Sequence, residues 1–204
     1  MPGSASPQVL PAAPAGTEHR SEEEPQVALQ AEAHRIVTKL GLLNCFSGLG
    51  EARVVGSVAV GLIVKRDIDV HVAVESGALT AAADKACHTL LDSPKVREIR
   101  ITDYRQGKAA LKVAIDQFPG GSGNWSIDVW LTEVPSNTGF TLVEHVLSRL
   151  TPDSRALILE VKRQLHSQGL LRDGLSCRIY EAVLDRGLAS VDAVKSYLGI
   201  TCPP

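Results

Sequence analysis

The sequence predicts an α/β fold, a mixed and partly antiparallel sheet flanked by helices, with a helical C-terminal part. Three observations carry this. β-Branched runs with period-two alternation recur between residues 52 and 134. The joints between the last three runs, Gln106-Gly107 and "PGGSGN", are short and glycine-bearing, which favours antiparallel hairpins. Beyond Pro135 the apolar period becomes that of helices.

Residues 1–24 combine Pro, Ala, Gly and Ser with an acidic run and predict a disordered tail. Pro25 suits a helix's first turn, and Leu29, Ala33, Ile36, Val37 and Leu40 recur at helical spacing before Gly41 stops the helix. "ARVVGSV" and "DIDVHVAVE" read as strands, and "GALTAAADKACHTLLDS" as a helix with its apolar residues largely on one side. "KVREIRITDYR", "KAALKVAIDQF" and "WSIDVWLTEV" are three further extended runs. "TLVEHVLSRL" is helical, Thr151-Pro152-Asp153 opens a helix through about Ser167, and "LSCRIYEAVLDRG" and "SVDAVKSYLG" follow. The expected units are the tail, an α/β domain over 25–136, and a helical region over 137–204 packed on it.

Composition narrows the function classes. With 204 residues, 44% of them hydrophobic, the chain can bury one core plus a small helical appendage. The formal net charge of -2, from 21 basic and 23 acidic residues, gives no bulk field for a nucleic-acid backbone or an acidic membrane. A long RNA or DNA partner is therefore disfavoured, although a local basic patch stays open. Cys45, Cys87, Cys177 and Cys202 form no C-x-x-C pair and suit free thiols in a reducing compartment. No window approaches a membrane span and no secretory leader is visible, so the expected location is cytoplasmic.

The stretch "VVGSVAVGLIVKRDIDVHVAVE", residues 54–75, carries the chemistry. In a strand Asp67, Asp69 and His71 share one face while Ile68, Val70 and Val72 take the other. Two like charges side by side are costly without a compensating cation, and a divalent metal with a taste for hard oxygen ligands, such as Mg²⁺, meets that need. Gly56-Ser57 permits close backbone approach and offers an N–H and a hydroxyl to phosphate oxygens, while Gly61 helps the chain turn back. The competing reading is an edge strand with polar residues facing water.

"VGSVAVGLIVKRDIDV" resembles the signature of the nucleotidyltransferase superfamily, the group related to DNA polymerase β. Gly56, Ser57, Asp67, Ile68, Asp69 and Val70 fill its positions, with nine residues from Val58 to Arg66 as spacer. The family takes a third carboxylate from a later strand; Asp128 in "WSIDVWL" fits inside its strand pattern, and Asp116 in "VAIDQF", running into a turn, is its rival. The resemblance covers residues from about 27 to 134 and is tight only over 55–70. Many small members carry serine before the first aspartate, where this chain has Arg66, a candidate for reaching a phosphate. The C-terminal helices are similar in pattern to those of small bacterial members, antibiotic-modifying enzymes among them.

The resemblance implies transfer of a nucleoside monophosphate from an NTP to an acceptor, with pyrophosphate released. ATP is the expected donor. It implies that Asp67 and Asp69 hold two Mg²⁺ ions about 4 Å apart, with Asp128 as further ligand or proton acceptor, and that Ser57 grips the terminal phosphates. The expected acceptor is a small-molecule hydroxyl, such as an aminoglycoside- or lincosamide-like antibiotic. A protein side chain is the alternative, and a non-catalytic nucleotide-binding domain a third reading.

Other residues have weaker claims. Lys162, on the longest C-terminal helix beside Arg163, could fold back onto the triphosphate. His71 shares the aspartate face yet suits a structural role, and Glu144 and His145 suit a solvated helix face. Trp125, Trp130, Tyr180 and Tyr197 could stack a base, but core packing is the expected role of each.

Overall fold

A computed structural model of the protein describes residues 18–200, and side chains from residue 25. Helix α1 (Glu18–Leu40) begins before Pro25, which therefore sits inside it rather than in its first turn. Residues 18–24, "EHRSEEE", carry helix propensity without the apolar periodicity that marks the helix from Pro25 onward. Of the tail expected over residues 1–24, 18–24 are helical instead, and 1–17 lie outside the described residues. A short 3-10 turn at Asn44–Phe46 then leads to β1 (Gly50–Val55) and the single helical turn α2 (Gly56–Ala59). "ARVVGSV" is thus not one strand: Gly56 turns to φ +62° and the extended chain ends at Val55.

β2 (Asp67–Val74) and α3 (Leu79–Leu91) follow, then β3 (Arg100–Asp103), the distorted turn α4 (Arg105–Lys108), β4 (Ala110–Pro119) and β5 (Asn124–Thr132). The strands form one sheet in the order β1-β2-β5-β4-β3. Only β2 and β5 pair in parallel; the other three pairings are antiparallel, with hairpins at both glycine-bearing joints. Strand alternation sends Ile68, Val70, Val113, Ile127, Val129 and Leu131 into a core with Ala33, Ile36 and Val37 of α1 and Ala82, Ala86 and Leu90 of α3. The polar alternate positions are left on the opposite face.

The C-terminal elements are α5 (Phe140–Arg149), α6 (Pro152–Ser167), α7 (Leu175–Tyr180) running into a π-helical turn (Glu181–Asp185), and α8 (Val191–Leu198). Thr151 caps α6 in a reciprocal pair with Ser154, as its place before Pro152 predicts. Ile158, Val161 and Leu165 of α6 join Val146, Ile179 and Val194 in a second core, which also takes Val60 and Leu62 from the loop before β2. That loop is therefore clamped by helices distant in sequence. Among the described residues no helix is long and apolar enough to cross a membrane.

Candidate functional site

Parallel pairing of β2 with β5 brings the three predicted carboxylates onto one face. Asp69 is the register partner of Asp128, and Asp67 of Ser126. On the other side of Asp128 stands Ala114 of β4, a small residue that does not crowd the carboxylate. Lys65 Nζ lies 2.7 Å from Asp67 Oδ2, and Lys112 Nζ donates to Asp128 Oδ2 at 3.0 Å. Asp69, between them, has no such partner among the described residues. Burial, and then the charges of Asp67 and Asp128, push its pKa up to about 7. Asp116 lines the same cleft without adjoining Asp69 in the sheet register: half-exposed beside a register shift in β4, it pairs with Arg100.

The Gly56-Ser57 turn closes over this group. A Cβ on Gly56 would stand 2.7 Å from Asp69 Oδ2, so the glycine is needed both for its positive φ and for the approach of the carboxylate. Lys162 Nζ donates to Ser57 Oγ at 2.6 Å and to the Leu62 carbonyl at 2.7 Å, with Tyr180 Oη at 3.2 Å. Only 1% of Lys162 is exposed, so the side chain lies beneath Ser57 and not in open solvent. Burial, and then the charge of Lys65, push its pKa down to about 7, and burial pushes the Tyr180 phenol up to about 12.

The aspartates floor a cleft of about 610 Å³. Gly56, Ser57 and Tyr180 line one side, and Tyr104, Lys108 and Trp130 another. Trp130 is half-buried in this wall rather than packed in the core, whereas Trp125 is fully buried. Sequence reasoning missed Lys65, Tyr104, Lys108, Lys112 and Arg172 as cleft residues. Lys112 alone carried a signal, since it lies at a polar alternate position of its strand. A larger cavity of about 880 Å³ is bounded by α1 and the β4–β5 hairpin and shares Lys65 and Arg66 with the cleft. Arg66 Nε donates to Ser122 Oγ of that hairpin at 3.0 Å.

The remaining candidates fall outside this arrangement. His71 Nδ1 accepts the Gly139 N–H at 2.9 Å at the start of α5, and burial pushes its pKa down to about 4, which suits a neutral structural histidine. Glu144 pairs with Arg53 and His145 with Asp185. Tyr197 packs with Arg178. Neither Tyr197 nor Arg163 lines the cleft.

As the side chains stand, no three carboxylate, imidazole or thiolate groups among the described residues are grouped to hold a metal ion. Lys65 and Lys112 pair with the two outer carboxylates, Asp67 and Asp128. The donor set itself fits a hard divalent cation: three carboxylates adjoin on one face, and the buried middle one lacks a cationic partner. A cation at these carboxylates would compete with Lys65 for Asp67 and with Lys112 for Asp128.

No family model matches the sequence, and no curated protein matches it. Solved structures do. A MgATP-bound mutant of Cid1 poly(U) polymerase superposes with a TM-score of 0.55 at 15% identity, over 77% of this chain and 51% of that one. A cytoplasmic RNA terminal U-transferase superposes at 0.50 and 14% identity, over 93% of this chain and 52% of that one. The fold is that of the nucleotidyltransferases. The chain spans about half the length of these two proteins. Within its nucleotidyltransferase fold, the glycine turn and the D-x-D strand are one local unit, β1-α2-β2, and β5 delivers the later aspartate from beside it.

Proposed function

We propose that the protein transfers a nucleoside monophosphate from a nucleoside triphosphate to an acceptor hydroxyl. The observation that carries this is the adjacency of Asp69 and Asp128 beneath the Gly56-Ser57 turn. The acceptor oxygen bonds to the α-phosphorus, the bond from that phosphorus to the pyrophosphate oxygen breaks, and the hydroxyl proton passes to a carboxylate or water. Asp67, Asp69 and Asp128 would hold Mg²⁺, which supplies charge neutralisation of the phosphates and a lowered acceptor pKa. Ser57 Oγ accepts from Lys162 and lies 3.2 Å from Tyr180 Oη; with the phenol as donor in that pair, the Ser57 hydrogen is left for a phosphate oxygen. Lys65 and Arg172 line the cleft as cations for the departing pyrophosphate.

ATP is the proposed donor. Overall charge taken alone favours a small-molecule hydroxyl, an antibiotic among the candidates, with a protein hydroxyl as alternative; the groups lining the cleft decide between these and a nucleic-acid end. A nucleic-acid end is the other reading, and a specific observation supports it: Arg100, Lys108 and Lys112 gather in the cleft, which a net charge of -2 conceals. The two structural neighbours are named for action on RNA or for poly(U) synthesis.

Calorimetric titration of Mg²⁺ with ATP, GTP, CTP and UTP in turn, into wild type and Asp69→Asn, tests the reading without knowledge of the acceptor. Saturable binding of a triphosphate that is lost in the variant supports it. Absence of binding by all four overturns it.

A further inference from the structure

The cleft has two different walls about its carboxylates. On one side stand Gly56, Ser57 and Lys65, suited to phosphates; on the other, aromatic rings alternate with amines. Trp130 follows Asp128 by two residues on β5 and so shares its face. Lys112 is the register partner of Trp130 on β4, and its Nζ lies 5.3 Å from the Trp130 ring centre while it also holds Asp128. Tyr104 lies 5.0 Å from Trp130 with 31° between the ring planes. Lys108 Nζ, on an exposed turn, is 5.3 Å from the Tyr104 ring and 5.2 Å from that of Trp130.

We propose that Tyr104, Lys108, Lys112 and Trp130 form the acceptor subsite, and that it takes a planar ring bearing a phosphate, as at the 3′ end of a single-stranded RNA. This rests on the nucleotidyl-transfer reading above and names its acceptor. Every base offers a π-face, so an aromatic pair receives it without regard to sequence, and adjacent amines take the phosphate. The two lysines now over Trp130 are the groups that such a phosphate would engage. A polycationic aminoglycoside meets repulsion from the same lysines and brings no ring to stack. A protein Ser or Thr hydroxyl brings neither ring nor phosphate, and a Tyr hydroxyl brings a ring without the phosphate. Asp128 joins this wall to the other carboxylates, which sets the acceptor's hydroxyl toward the triphosphate side.

The test is binding of a 5′-labelled oligoadenylate about 15 nucleotides long, read by fluorescence anisotropy in EDTA so that no metal or turnover is needed. AMP is the second probe, read by quenching of tryptophan emission. Trp130→Ala should weaken oligoadenylate binding about 10-fold, and Lys108→Ala, on the exposed turn, should lower the salt dependence by about one ion. Binding of the oligonucleotide with both effects supports an RNA end; binding of AMP alone, with the same variant losses, supports the ring-and-phosphate chemistry in a free nucleotide. If wild type binds neither probe while still binding MgATP, or if both variants bind as wild type does, the acceptor assignment is wrong and the donor site stands. Loss of MgATP binding in wild type would instead remove the reading beneath it.

Discussion

Asp69 and Asp128 are register partners across the one parallel strand pair of the sheet, and Gly56 closes over Asp69 from the turn after β1. Parallel neighbours present equivalent faces along their whole length, so two strands distant in sequence deliver carboxylates to one point. The folding core on the opposite face fixes this, because a one-residue slip would bury the aspartates and expose Ile68 and Ile127.

Replacing Asp69 with Asn should separate function from stability. Turnover should fall by more than about 100-fold, since even groups that support a metal's ligands carry effects of 10- to 100-fold. Stability moves the other way. The Asp69 pKa is raised in the fold from its ordinary 3.8 to about 7, so between those values the folded state binds more protons than the unfolded. The stability this contributes is full below about pH 4 and is lost as pH rises through 7. Thermal melts in EDTA at pH 5 and 8 should show wild type losing stability over that span and Asp69→Asn losing less. Equal losses in the two proteins would show that Asp69 is not the titrating group.

Gly56 tests the closeness of the turn. Alanine there meets Asp69 Oδ2 and a positive φ together, whereas at Gly41 it meets φ +66° with nothing within 4 Å. Gly41→Ala should cost about 1 kcal/mol, the strain of a left-handed residue alone. Gly56→Ala should cost more and should also depress triphosphate binding, which urea melts and calorimetry check. Equal costs at both positions would mean that the turn can shift away from Asp69.

Much of this was legible in residues 54–75 because strand alternation and a glycine turn are local in sequence. Asp128 was legible as the later aspartate for the same reason: its neighbours Ile127 and Val129 alternate with it. The partners of Lys162 were not, since the loop carbonyl of Leu62 and the phenol of Tyr180 meet it only through packing of α6 and α7 on that loop. Trp130 was misread because scarcity of aromatics says nothing about which face a strand turns to solvent. The register that pairs it with Lys112 is a property of the sheet.

His71 should behave as a buried neutral ring. Its pKa is lowered in the fold from 6.5 to about 4, so the unfolded state binds more protons between those values. Stability from this residue is present above about pH 6.5 and falls as pH drops toward 4. NMR titration should find one ring that keeps its neutral shift down to about pH 5, and His71→Gln should remove that resonance. A His71 signal titrating near 6.5 would contradict the burial and its bond to Gly139.

Lys162 gives the sharpest pH signature. Its pKa falls in the fold from 10.5 to about 7, so between these values the unfolded chain carries the extra proton and wild-type stability rises with pH. Lys162→Met removes the amine, leaving the Leu62 carbonyl without its donor and Ser57 Oγ with Tyr180 Oη alone, at a cost of about 2 kcal/mol near pH 9. Toward pH 6 wild type must bury a charged ammonium, so the gap between the two proteins narrows. The same variant frees the Ser57 hydroxyl to rotate and should weaken triphosphate binding about 10-fold, whereas Lys162→Arg keeps a charge that cannot be shed and should not restore either property. Urea melts at pH 6 and 9 with parallel nucleotide titrations decide it: a gap that stays constant with pH would mean that Lys162 remains charged beneath Ser57 throughout.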